Sequence, residues 1–175
     1  SIFTDYRGQA LLRFEDIIGT SSEGMIPPNA KVSRAIINIE IEDDIDNPLF
    51  NPDFEVWQVI RDWDESSTWN SLDGGLTPGQ DLGDLLGTFP GDNDPNSNTL
   101  RRIDITSTVQ SWVNGEPNFG VAFLPEIISG NDDGIAIWTS EADNPLFRPT
   151  LEVWYASAEP SLPADINGDG VVNGA

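Results

Sequence analysis

Residues 32–42 read VSRAIINIEIE, and their alternation decides the fold class. Ala35, Ile37, Ile39 and Ile41 fall on one face, with Arg34, Asn38, Glu40 and Glu42 on the other. A two-residue period with one apolar face marks a half-buried antiparallel strand. Shorter runs of the same kind are QALLRF (9–14), FEVWQVIR (54–61), RRIDI (101–105), GVAFL (120–124), GIAIWTS (134–140) and TLEVWYA (150–156). Clusters of Gly, Pro, Asn and Asp separate them. The pattern predicts an all-β, two-sheet antiparallel β-sandwich, jelly-roll-like, with one short helix and long loops.

The helix is predicted over 106–114 (TSTVQSWVN), where Val109, Trp112 and Val113 recur at helical spacing. Thr106 or Ser107 is expected to cap its start, and Gly115 to end it. Residues 72–99, rich in Gly, Asp, Asn and Pro, read as a long loop with a turn of helix at 82–86. A local duplication stands out as well: DNPLFNPDFEVW (46–57) returns as DNPLFRPTLEVW (143–154), identical at nine of twelve positions. Each copy reads as a Pro-interrupted corner feeding a strand that ends in Trp57 or Trp154.

The chain carries 30 Asp and Glu against eight Lys and Arg, a formal net charge of −22. That surface repels phosphate backbones and anionic lipid, which excludes nucleic acid as a partner. No apolar run reaches membrane-spanning length, so membrane insertion is not expected. The sequence has no Cys and no His, and Lys31 is its single Lys. Thiol chemistry, Ser-His and zinc-His sites and most lyase-type base arrangements are thereby excluded. A two-carboxylate glycosidase survives this inventory, but nothing in the sequence points to its cleft.

Past Tyr155 the composition turns to Ala, Ser, Glu and Pro. The expected organisation is a sandwich module at 1–156, a linker at 157–164 and a calcium-binding tail at 165–175. That tail contains DINGDGVVN (165–173). Asp165, Asn167 and Asp169 stand at positions one, three and five of a calcium loop, Val171 offers its carbonyl, and Asn173 sits at position nine. The implied cofactor is Ca2+. The twelfth position falls one past Ala175, so the loop as written is truncated. It resembles the loop that opens a type I dockerin repeat, and the resemblance implies a cohesin-like partner for the tail.

The strings LLRFEDIIG (11–19), IPPNAKVSRAIINIEI (26–41), RDWDESSTWNSLDGG (61–75), SWVNGEPNFGVAFLP (111–125) and SEADNPLFRPTLEV (140–153) resemble the DNRLRE-type domain of secreted bacterial proteins. Some members of that group are carbohydrate-binding modules. The resemblance implies a secreted or cell-surface β-sandwich without catalysis. It also implies a first strand ahead of Ser1 that is missing here, either trimmed or leaving an edge open to another chain.

Flat aromatic faces on rigid strands are the best glycan candidates. Alternation turns Trp138 outward if Ile135 and Ile137 point inward, and Trp154 outward if Leu151, Val153 and Tyr155 do. Trp57 is its counterpart in the first copy of the duplication. Trp63, Trp69 and Trp112 read as structural, with Trp69 closing the core. Asp62, Asp64 and Glu65 read as part of a structural loop in which Arg61 pairs with an acid, against the alternatives of a second calcium site or a catalytic pair. The function expected is a non-catalytic extracellular attachment module binding a polysaccharide or cell-wall component. The alternative is a structural subunit of a filament or matrix, joined to neighbouring copies of itself by donor-strand exchange.

Overall fold

A computed structural model describes residues 2–4, 9–20, 24–41, 53–90, 99–125 and 135–157. The strands are β1 (Ile2–Thr4), β2 (Ala10–Leu12), β3 (Lys31–Glu40), β4 (Asp53–Val59), β5 (Leu82–Pro90), β6 (Leu100–Asp104), β7 (Val121–Pro125), β8 (Ile135–Ile137) and β9 (Thr150–Ala156). One helix, α1 (Thr106–Val113), follows β6, and a 3₁₀ turn, Pro145–Phe147, precedes β9. Among the described residues no helix is long and apolar enough to cross a membrane.

The strands form an antiparallel sandwich. One sheet has the order β2-β7-β4-β5 and the other β6-β3-β9. The pair β1-β8 joins the second sheet at the end of β3, through an Ile41–Ile137 bridge and a Trp138 N–H to Glu40 carbonyl bond of 3.1 Å.

Alternation explains what lies between the sheets. Ala35, Ile37, Ile39 and Ile41 meet Phe54, Val56, Val121 and Phe123 in one core, each buried. Burying side chains of this size stabilises the fold by roughly 1.5–3 kcal/mol apiece. Asn38 does lie on the opposite face of β3, but it is buried rather than exposed. β3 is the central strand of its sheet, so side chains from both neighbours flank this residue. Its amide donates to Thr150 Oγ1 at 3.1 Å and Glu152 Oε1 at 2.9 Å.

The helix stops one end of the core, burying Val109, Trp112 and Val113. Neither Thr106 nor Ser107 caps it. The N-cap is Ile105, which makes no side-chain cap bond, and the acceptor is Asp104, whose Oδ1 takes the Thr106 N–H at 2.9 Å and hydroxyl at 2.6 Å. The Thr106 hydroxyl is occupied elsewhere, accepting the Ala35 N–H at 2.9 Å just past a register shift in β3. Gly115 does end the helix, at φ 106°.

Residues 82–90 form strand β5 rather than loop and helical turn. Leu82, Leu85 and Leu86 mimic helical spacing because the β4–β5 ladder shifts register at Val56/Trp57 and again at Trp57/Val59. Each shift breaks the two-residue period. Leu82 consequently packs on the outer face of the sheet while Leu86 and Phe89 enter the main core. That outer face is itself covered: Leu72 and Leu76 fold over Val59, Leu82 and Ala122 as a second small core.

Candidate functional site

The loop that builds this second core is fastened by charge. Arg61 Nη1 pairs at 3.1 Å with both Asp73 and Asp81, and Asp81 is buried. Gln9 adds a second anchor, its amide exchanging bonds of 3.0 and 2.6 Å with the Leu76 backbone. Trp69 does not close the core. It is 46% exposed and lies against Gly75, whose φ of 99° and lack of a Cβ leave room for the ring.

This fastening places the start of the loop, residues 63–67, beside β2. A cleft of about 720 Å³ opens there. Gln9–Arg13 form one wall, Trp63, Asp64, Glu65 and Ser67 a second, and Trp138–Glu141 a third, over a floor that includes Ile39, Phe123 and Ile137. Its size suits a small-molecule or oligosaccharide site, and an apolar floor with a few polar groups is the usual composition of one.

Both indoles on the cleft are held by neighbouring side chains or backbone. Trp63 donates its Nε1–H to the Phe119 carbonyl at 2.7 Å and carries the Arg13 guanidinium 4.9 Å from its ring centre. Arg13 also donates to the Trp63 carbonyl at 3.1 Å and pairs with Glu15 at 2.7 Å. Trp138 stacks on Phe147 with centroids 5.3 Å apart and planes at 29°. Trp138 lies one residue past β8, so its direction follows from that stack rather than from strand alternation.

The other two predicted tryptophans sit elsewhere. Trp57 is outward on the four-stranded sheet, packs against the second core and bonds Glu55 Oε2 at 2.8 Å. Trp154 is 44% exposed on the outer face of the three-stranded sheet, with Arg34 5.5 Å from its ring centre. The duplicated segments thus turn equivalent residues the same way: Phe54 and Val56 inward like Leu151 and Val153, and each Trp outward. They belong to opposing sheets, however, so Trp57 and Trp154 face away from each other and share no platform.

The acids of the 61–67 loop diverge. Asp62 approaches Arg13 at 3.7 Å. Asp64 turns into its own loop, accepting the Ser66 hydroxyl at 2.6 Å and N–H at 2.8 Å. Those bonds, the hydroxyl's first, hold the Asp64 carboxyl below its ordinary range. It therefore stays ionised and is a poor proton donor. Among the described residues no three acids are placed to hold a metal ion. The calcium-loop residues Asp165, Asn167, Asp169, Val171 and Asn173, and the linker at 158–164, lie outside the described residues.

Trp63 is the cleft residue that sequence reading assigned to structure alone. It does brace the loop, and the signal that it also faces a cavity is not local. The walls come from residues 9–13, 63–67 and 138–141, which only the fold brings together. Compared with known proteins, the chain matches no family model and no curated protein. The geometry of the cleft therefore carries the functional argument.

Proposed function

We propose that this chain is a non-catalytic attachment module of a secreted or cell-surface protein, binding a polysaccharide or cell-wall component in the cleft between Trp63 and Trp138. The observation that supports this reading is the pair of braced indoles on a cavity of about 720 Å³. Rigid aromatic faces stack on the apolar faces of sugar rings, and their fixed orientation spares the ordering cost of binding. Trp154 with Arg34 is a secondary contact on the far sheet. The acidic loop supports binding over catalysis, since Asp64 is spent on its own turn. A glycan array probed with the wild-type chain and with Trp138→Ala and Trp154→Ala tests it. Hits lost on Trp138→Ala are expected; an array without hits counts against attachment.

One observation favours the structural alternative. β9 is an edge strand among the described strands, and beneath it runs a groove of about 300 Å³ lined by Phe14, Ile17, Ile26, Leu151, Val153 and Tyr155. A strand from a neighbouring copy would extend the sheet there and set its side chains on that floor. Growth of the sedimenting species with protein concentration would favour this reading, and a constant monomer would remove it.

For the tail, the DINGDGVVN spacing supports calcium binding through Asp165, Asn167 and Asp169, with Val171 and Asn173 adding ligands, once a side chain is supplied at the twelfth position of the loop. Calorimetry on a chain extended past Ala175 should show a calcium heat that Asp165→Ala abolishes.

A further inference from the structure

We infer that the cleft takes amine-bearing glycans in preference to uronate-bearing or sulfated ones. The inference rests on the attachment reading and adds to it the charge of the ligand.

Three carboxylates line the cleft: Asp64, Glu65 and Glu141. Among the described residues its one basic lining residue, Arg13, is already committed to Glu15, to Asp62 and to the carbonyl and ring of Trp63. No ion pair among the described residues engages Glu65, Glu141 or Asp64. Asp64 keeps its charge through the Ser66 bonds described above, and the Glu141 carboxylate accepts a bond of 3.3 Å from Ser140.

Arg13 offsets part of the charge at Asp64 but pairs with neither Glu65 nor Glu141, so the cleft presents net negative charge beside two indoles and apolar side chains. Low-dielectric walls strengthen such a field relative to open solvent. An ammonium sugar entering it meets opposite charge on the rim, and its cation can rest against Trp138, since Arg13 already lies over Trp63. A carboxylate or sulfate sugar meets like charge and finds no uncommitted base among the described lining residues.

The net charge of −22 attracts any polyamine weakly, so the test must separate the cleft from the surface. Glucosamine oligomers, N-acetylglucosamine oligomers of equal length and galacturonate oligomers would be titrated calorimetrically at physiological salt. The amine form should bind about tenfold tighter than the acetylated one, and the uronate form should give no heat. Glu65→Gln with Glu141→Gln should cut that preference to under about threefold, whereas Asp84→Asn with Glu116→Gln, exposed acids outside the cleft, should leave it intact.

If amine and acetylated oligomers bind equally and both need Trp138, the charge preference is wrong while attachment stands. Amine binding that survives Trp138→Ala and falls equally with either acid pair is general charge attraction, and overturns the inference. No heat with the amine oligomer overturns it too, leaving the attachment reading to the array.

Discussion

The Arg13 guanidinium lies 4.9 Å from the centre of the Trp63 ring and donates to the Trp63 carbonyl at 3.1 Å, so one side chain fixes both ring and backbone of the residue that walls the cleft. Arg13→Ala should leave the sandwich folded, with a stability loss of about 1–2 kcal/mol from the lost cation–π contact and hydrogen bond. Glycan affinity should fall more steeply than stability does. Parallel urea titrations and calorimetry check this, and equal small effects on both would show that Trp63 needs no brace.

Gly120 holds φ 77° at the entrance to β7, where an added Cβ would run into the Leu12 carbonyl and the Arg13 Cα. Gly120→Ala should cost about 2–4 kcal/mol, combining left-handed strain with a backbone clash that cannot relax without separating β2 from β7. Gly115, also at positive φ but with open space around it, gives the comparison. Gly115→Ala should cost only about 1–2 kcal/mol. Thermal melts of the two variants side by side decide between them.

Asp104 carries an acid dependence. The Thr106 hydroxyl and then its N–H hold the Asp104 carboxyl below its ordinary range. A carboxyl depressed in the folded state stabilises fully above its unfolded value, near 4, and that contribution fades as pH falls through the folded value. Asp104→Ala should lose about 1 kcal/mol at neutral pH, as for a lost helix-start acceptor. The gap from wild type should narrow as pH falls below the unfolded value and through the lower folded one, measured as urea midpoints across the acid range. A gap independent of pH would mean that the charge of Asp104 does not contribute.

Trp112 is buried in the main core, and its indole N–H finds no acceptor. Leaving such a donor unpaired costs about 1–3 kcal/mol, so Trp112→Phe removes a penalty as well as some packing. The net change should stay within about 1 kcal/mol, whereas Trp112→Ala should cost about 3–5 kcal/mol. A phenylalanine variant as unstable as the alanine one would indicate that the indole's shape, not its bulk, fills the site.

The strands that could be read from sequence are those whose period survives pairing. β3 holds its alternation from Arg34 to Ile41, and β9 from Leu151 to Tyr155, because their shared ladder is regular from Arg34 to Asn38. β5 could not be read, because two register shifts against β4 scatter Leu82, Leu86 and Phe89 onto different faces. The burial of Asn38 was hidden for another reason: a central strand covers even its polar face, and sequence does not say which strand is central. For the site, alternation turned Trp154 outward correctly but could not tell that Trp57 stands on the opposite sheet. Nor does any local spacing reveal that Trp63 and Trp138 share a cavity.

The order of pairing around β3 bears on how the chain is made. Lys31 pairs with Ala156, and Asn38 with both Arg102 and Thr150, so the strand that reads most plainly gains β6 midway and its second partner, β9, last. A chain emerging from the ribosome can zip β4 to β5 early, since those strands are close in sequence. The second edge of β3 must wait for nearly the whole module. Until β9 arrives, one edge of an isoleucine-rich strand stays unpaired, and long-range pairing of this kind is slow and exposed to aggregation. Acidic residues are spread along the chain, whose formal net charge is −22 over its full length, and like-charge repulsion opposes association at such an edge.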